Sequence, residues 1–183
     1  GFDVAGVRVD GVTAASTAAQ AAMDQDVVIT MLPNGAILRS VAAEIISAMR
    51  AGAVLTDCST VDVDSARAVA DMATTAGASA LDAPVSGGVG GATAGTLTFM
   101  VGGPDAAFAK VQPLFEVMGQ KAVHCGAAGA GQSAKICNNM ILGATMVATA
   151  EAFVLAEKLG LEAQTFFDIS SKASGQSWSM TSY

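Results

Sequence analysis

Residues 129–139 read Gly-Ala-Gly-Gln-Ser-Ala-Lys-Ile-Cys-Asn-Asn and open a long apolar stretch. Lys135 and Asn139 are four apart, so a helix places them on one face. Burying an ammonium among apolar side chains disfavours its charged form and draws its pKa down toward neutrality. A lysine tuned in this way can take or give a proton near physiological pH. Asn139, one turn on, offers a substrate hydroxyl a donor or an acceptor. The same spacing also fits a solvated lysine at a helix start, so the pair alone leaves both readings open.

Three other segments carry polar groups in useful places. Asp82–Gly95 reads DAPVSGGVGGATAG and follows an apolar run. Gly87, Gly88, Gly90 and Gly91 leave backbone N–H groups uncovered by side chains. Such a loop can wrap an anion, with Ser86 adding a hydroxyl donor, and a flexible turn explains the same glycines. Met31-Leu32-Pro33 ends one strand-like run and Asp57-Cys58-Ser59-Thr60 ends another. Ligands of open α/β sheets bind at the carboxyl ends of strands, which suits both segments to a cofactor. Ser59 or Thr60 also suits an N-cap for a helix starting near Asp62. His124 is the sole histidine, so a Ser-His-Asp or histidine-metal site lacks material. We expect no metal and read His124 as structural, at a strand end.

Short β-branched runs alternate with helical patterns along the chain. Strands are expected at Val27–Leu32, Ala53–Cys58, Ser79–Ala83, Thr96–Val101 and Ala122–Cys125. Helices are expected at Thr13–Met23, Ala36–Arg50, Asp62–Ala76 and Asp105–Met118. Gly52, Gly77 and Gly119 suit helix C-termini that need positive φ. This alternation predicts an α/β fold, a mostly parallel sheet covered by helices on both faces. The run VVITML suits a strand buried on both sides. From Gln132 to Gly160 no strand signal interrupts a helix of about 28 residues, roughly 40 Å long. It is apolar on most of its circumference, so it should be buried on several sides. Its apolar stretch, Met140–Ala156, falls short of the ~20 residues of a membrane span. A second helix, Glu162 to about Ser170, precedes a polar end. A domain junction is expected near Gly126–Gly131, with one domain over 1–130 and another over 131–183.

The composition agrees with a folded core. Of 183 residues, 52% are hydrophobic and 14% charged, too apolar for disorder. A net charge of −7 argues against nucleic acid or anionic membrane as a partner. Cys58, Cys125 and Cys137 have no metal-ligand spacing and read as free thiols of a reducing cytoplasm.

Taken together and in this order, the four segments resemble the 3-hydroxyisobutyrate dehydrogenase family of β-hydroxyacid dehydrogenases. DAPVSGGVGGATAGTLTFMVGG (Asp82–Gly103) resembles its substrate-binding segment and GAGQSAKICNN (Gly129–Asn139) its catalytic segment. SGQSWS (Ser174–Ser179) resembles its stretch near the active site. The resemblance covers essentially the whole chain. It implies a partial Rossmann-like sheet, a long connecting helix and the start of an all-α domain, with NAD or NADP as cofactor. It implies that Lys135 is catalytic and that Ser86, Gly87, Gly88 and Asn139 bind substrate. Leu32, Pro33 and Thr60 would contact the cofactor. The implied reaction is reversible hydride transfer between 3-hydroxyisobutyrate, or a related β-hydroxyacid, and NAD(P), giving methylmalonate semialdehyde in valine catabolism. Gln132, Cys137-Asn138 and the Trp178 region favour that substrate over those of tartronate semialdehyde, succinic semialdehyde or glyoxylate reductases and 6-phosphogluconate dehydrogenase. The implied partners are a small hydroxyacid and further copies of the chain, a dimer or tetramer joined through the long helix. A non-catalytic module whose apolar helix only mediates dimerisation is the competing reading. The family's G-x-G-x-x-G loop is missing, since Gly1, Gly6 and Gly11 do not form it. The chain is therefore expected to be incomplete at both ends, to bind dinucleotide poorly by itself and to be inactive alone.

Overall fold

The computed structural model describes residues 1–3, 5–7 and 9–182. Two compact units divide the chain, Gly1–Lys135 and Ile136–Tyr183.

The first unit runs α1 (Ala18–Ala22), β1 (Val27–Thr30), α2 (Gly35–Ala48), β2 (Val54–Asp57), α3 (Val63–Thr75), β3 (Ser79–Asp82) and β4 (Val85–Ser86). It continues with α4 (Gly88–Ala94), β5 (Leu97–Gly102), α5 (Asp105–Met118) and β6 (Gly119–Gly126), then enters α6 (Ala130–Lys158). The six strands form one sheet in the order β1-β2-β3-β5-β4, with β6 also paired to β5. β1, β2 and β3 are parallel and in register, and β6 is parallel to β5. β5 meets β3 and β4 antiparallel. The sheet is thus mostly parallel, as the alternating pattern predicts.

Burial follows strand alternation. Leu55 and Ala80 join Leu38, Ala42, Ile45, Val69 and Ala73 of α2 and α3 in one buried cluster. Their neighbours Val54 and Leu81 join Phe99, Val101, Val111 and Phe115 in another. Adjacent strand residues point to opposite faces, so the clusters lie on opposite sides of the sheet, and helices cover both.

Several local expectations change. β1 is an edge strand with Ile29 exposed. Two-sided burial belongs instead to β2, all four of whose residues are buried. α1 is only five residues long. Gly52 and Gly77 have positive φ, but Gly119 is extended and opens β6. There a Cβ would come within 2.8 Å of the Phe99 ring, so close packing requires the glycine.

In the second unit, α6 continues from Ile136 and is followed by α7 (Ala163–Ser170) and α8 (Trp178–Ser182). Phe153 and Phe166 pack edge to face at 4.9 Å, and Thr145 and Ser179 share a 2.6 Å hydrogen bond. The polar end of the chain is therefore partly helical. From Ser133 to Lys158 only Ala156 of α6 is buried. The expected burial on several sides is not met by this chain's own residues, because its short helices cover little of so long a cylinder. By length and composition α6 is apolar enough to cross a bilayer, although Glu151 interrupts it.

Candidate active site

The carboxyl ends of β1 and β2 lie side by side, with Thr30 opposite Asp57. Asp57 is buried, and its Oδ1 accepts from the Thr30 hydroxyl at 2.7 Å and the Ser59 hydroxyl at 2.6 Å. Burial pushes its carboxyl above the usual range against the pull of those two hydroxyls. Ser59 Oγ in turn accepts from the Leu32 N–H at 2.7 Å. One buried network therefore joins Met31-Leu32-Pro33 to Asp57–Thr60, the two segments expected to face a cofactor. Pro33 and Thr60 are exposed at its surface and Leu32 is half-buried. Neither Ser59 nor Thr60 caps α3. Asp62 does, accepting from the Ser65 N–H at 2.8 Å.

The start of α6 is fastened to the same strand ends. The Asp82 carboxylate closes β3 and accepts from the N–H groups of Gly129 at 2.7 Å and Gln132 at 2.9 Å. An anion at a helix N-terminus satisfies orphan donors and complements the dipole. Burial nevertheless holds the Asp82 carboxyl above its usual range. Gly102 and Gly131 permit this close docking. A Cβ on Gly102 would lie 2.8 Å from the Ala130 and Gly131 nitrogens, and one on Gly131 would lie 2.9 Å from Asp82 Oδ2. Gln132 is fully buried. Its amide accepts from the Val61 N–H at 3.1 Å and donates to the Ser59 carbonyl at 2.8 Å.

Lys135 follows three residues later and is half-buried. Burial lowers its pKa below the usual 10.5, the direction general acid–base work requires. Asn139 stands one turn further along α6 and is exposed.

Ser86, Gly87 and Gly88 form the corner between β4 and α4. Ser86 pairs with Thr98 and is half-buried. Gly87 has φ +130° and Gly88 has φ +60°, conformations that glycine adopts without strain. The remaining glycines are not in an open loop as expected. They lie in α4, because Gly91 N–H bonds back to the Gly87 carbonyl at 2.9 Å and begins a helical turn. The structure therefore unites the Leu32, Pro33 and Thr60 segments and anchors the Lys135 helix to one of them. The Ser86 corner lies four residues beyond Asp82 along the chain. Sequence reasoning had assigned no such role to Asp57, Asp82 or Gln132. Each is polar yet buried, and no local pattern marks that.

His124 packs against its surroundings as a structural residue would: Nε2 lies 2.8 Å from the Gly103 carbonyl, and its ring stacks on Phe108. No group of three metal-ligating side chains occurs among the described residues. Cys58 is buried, which pushes its thiol up to about 12, with the Asp57 charge adding to the rise. Cys137 is exposed. Native titration with a disulfide reagent at pH 8 is expected to label Cys137 and spare Cys58 until the chain unfolds. Stoichiometric native labelling of Cys58 contradicts the packing described.

The fold is an α/β domain with its polar groups gathered at parallel strand ends, where open sheets bind ligands. Residues 3–126 match the family described as the NAD binding domain of 6-phosphogluconate dehydrogenase. Residues 129–183 match that described as NAD-binding of NADP-dependent 3-hydroxyisobutyrate dehydrogenase. The chain belongs to the β-hydroxyacid dehydrogenase family that includes 3-hydroxyisobutyrate dehydrogenase. It is 48% identical over 185 residues to a probable 3-hydroxyisobutyrate dehydrogenase of Mycobacterium tuberculosis, covering 98% of this chain and 63% of that protein. It is 43% identical over 190 residues to the NAD-dependent L-serine dehydrogenase of Pseudomonas aeruginosa, covering 100% and 64%. The structure of Mycobacterium tuberculosis 3-hydroxyisobutyrate dehydrogenase with L-serine superposes with a TM-score of 0.88 at 50% identity, covering 92% of this chain and 58% of that one. The chain thus spans under two thirds of the length of these relatives.

Proposed function

We propose that this chain carries the catalytic lysine and part of the cofactor cleft of an NAD(P)-dependent β-hydroxyacid dehydrogenase. The observation that carries this is the half-buried, pKa-lowered Lys135 on a helix whose first turn is bonded to the Thr60 loop. Exposed Pro33 and Thr60 beside half-buried Leu32, at parallel strand ends, fit a dinucleotide. NAD or NADP, when bound, supplies hydride acceptance from the hydroxyl-bearing carbon. Lys135 Nζ takes the hydroxyl proton during oxidation and returns it during reduction. The Ser86 hydroxyl and the N–H groups of Gly87 and Gly88 hold the carboxylate, and Asn139 holds the hydroxyl.

The names of relatives narrow the substrate. They include dehydrogenases of 3-hydroxyisobutyrate, L-serine and 2-(hydroxymethyl)glutarate. All three acids contain a hydroxymethyl group on the carbon that bears the carboxylate. We assign this unit as the substrate class and 3-hydroxyisobutyrate as its member, with methylmalonate semialdehyde as product in valine catabolism. Kinetics on the full-length protein are expected to rank 3-hydroxyisobutyrate above L-serine in kcat/KM by about tenfold or more, the scale on which a pocket separates small substituents. A preference for L-serine changes the member. A preference for a 2-hydroxyacid sinks the class. We also propose a cytoplasmic dimer or tetramer joined through exposed α6 residues such as Met140, Ile141 and Val147. A monomer by sedimentation at micromolar concentration removes that element.

A further inference from the structure

We infer that Gln132 is the positioning residue that sets Lys135 against the Thr60 loop, an inference that rests on the dehydrogenase reading above. Its amide bonds the Val61 N–H and the Ser59 carbonyl, the two backbone groups that flank Thr60. Thr60 is exposed, while Ser59, Val61 and Gln132 are all buried. One side chain therefore grips the peptide on both sides of a residue left free to meet a cofactor. The grip is stiff because both bonds lie in a dry interior, where an amide left unpaired is costly. The backbone of Gln132 is held in turn by Asp82.

Lys135 lies three residues on, on the neighbouring position of the same helix face. The path from the Thr60 backbone to the lysine thus crosses one amide side chain and one turn of α6. Glycines at 102 and 131 remove the slack behind that turn. Hydride and proton leave the same substrate, so the cofactor loop and the lysine must hold a fixed separation. A misplacement of about 1 Å can cost 10²-fold in rate.

The test compares Gln132→Leu, Gln132→Glu and Lys135→Ala in the full-length protein. Gln132→Leu is expected to lower kcat per folded site by about 10- to 100-fold while leaving KM for the hydroxyacid within about threefold. The deuterium isotope effect on kcat should rise as hydride transfer becomes limiting. Gln132→Glu keeps the volume and the acceptor but aims a carboxylate at the Ser59 carbonyl. Its kcat relative to the unsubstituted protein is expected to recover as pH falls, because the protonated carboxyl regains the donor. That variant carries the test where Gln132→Leu fails to fold. Unchanged kcat and isotope effect with only a lower Tm, or no recovery of Gln132→Glu at low pH, overturns the positioning role. Lys135→Ala with full turnover overturns the dehydrogenase reading and this inference with it. Lys135→Ala without turnover beside a fully active Gln132→Leu overturns this inference alone.

Discussion

Lys135→Ala is expected to reduce kcat for hydroxyacid oxidation by about 10³-fold, the range a positioned acid–base group contributes. Lys135→Arg should do no better, because a guanidinium stays protonated and cannot accept the hydroxyl proton. The pH profile follows from the burial that lowers the Lys135 pKa. On the proposed role of Lys135, oxidation needs the neutral amine, so kcat is expected to rise with pH and to level off before the usual lysine range is reached. The linkage to stability has a definite sign. Between the lowered folded pKa and the usual 10.5, the folded state binds fewer protons than the unfolded state. Stability due to this group therefore rises with pH across that window. Below it, the cost of half-burying a charged amine is present in full. Removing the lysine relieves that cost, so Lys135→Ala should be at least as stable at pH 7 as the unsubstituted protein. A thermal melt beside the rate measurement separates the effects: lost turnover with an undiminished Tm supports the assignment, and full turnover refutes it.

Asp82→Ala should cost about 3 kcal/mol of unfolding free energy at pH 7. The change strands the Gly129 and Gln132 N–H groups, and each unsatisfied buried donor costs roughly 1–3 kcal/mol. Relief of a buried carboxylate offsets part of the sum. Asp82→Asn keeps one acceptor oxygen and should lose about half as much. The sign of the pH effect is opposite to that of Lys135. Burial raises the Asp82 carboxyl above its usual 3.8, so in the window between 3.8 and that raised value the folded state binds more protons. Its stabilising contribution is complete below the window and is lost as pH rises through the folded pKa. Asp57 is raised from 3.8 as well, chiefly by burial, and slopes in the same direction. Urea unfolding at several pH values checks both points. An Asp82→Ala midpoint equal to that of the unsubstituted protein shows that solvent or another group caps α6 instead.

Chemistry that repeats over a few residues was legible in the amino-acid order. The i, i+4 placement of Lys135 and Asn139 is a property of one helix, and a helical period needs only neighbours. Alternating β-branched runs located five of the six strands. Two-residue β4 carried no such signal, because so short a run holds no alternation. Helix α4 was hidden by its own glycines, which read as loop until the Gly87 carbonyl bonds to Gly91.

By its own order, then, the sequence determined the α/β class and the family, and it nominated the residues proposed to meet substrate and cofactor. Tertiary structure alone decided what holds them. Asp82 lies 47 residues from Gly129, and Gln132 lies 73 from Ser59. Hydrogen bonds across such separations leave no local mark on composition or period, because they form only once the sheet has brought its strand ends together.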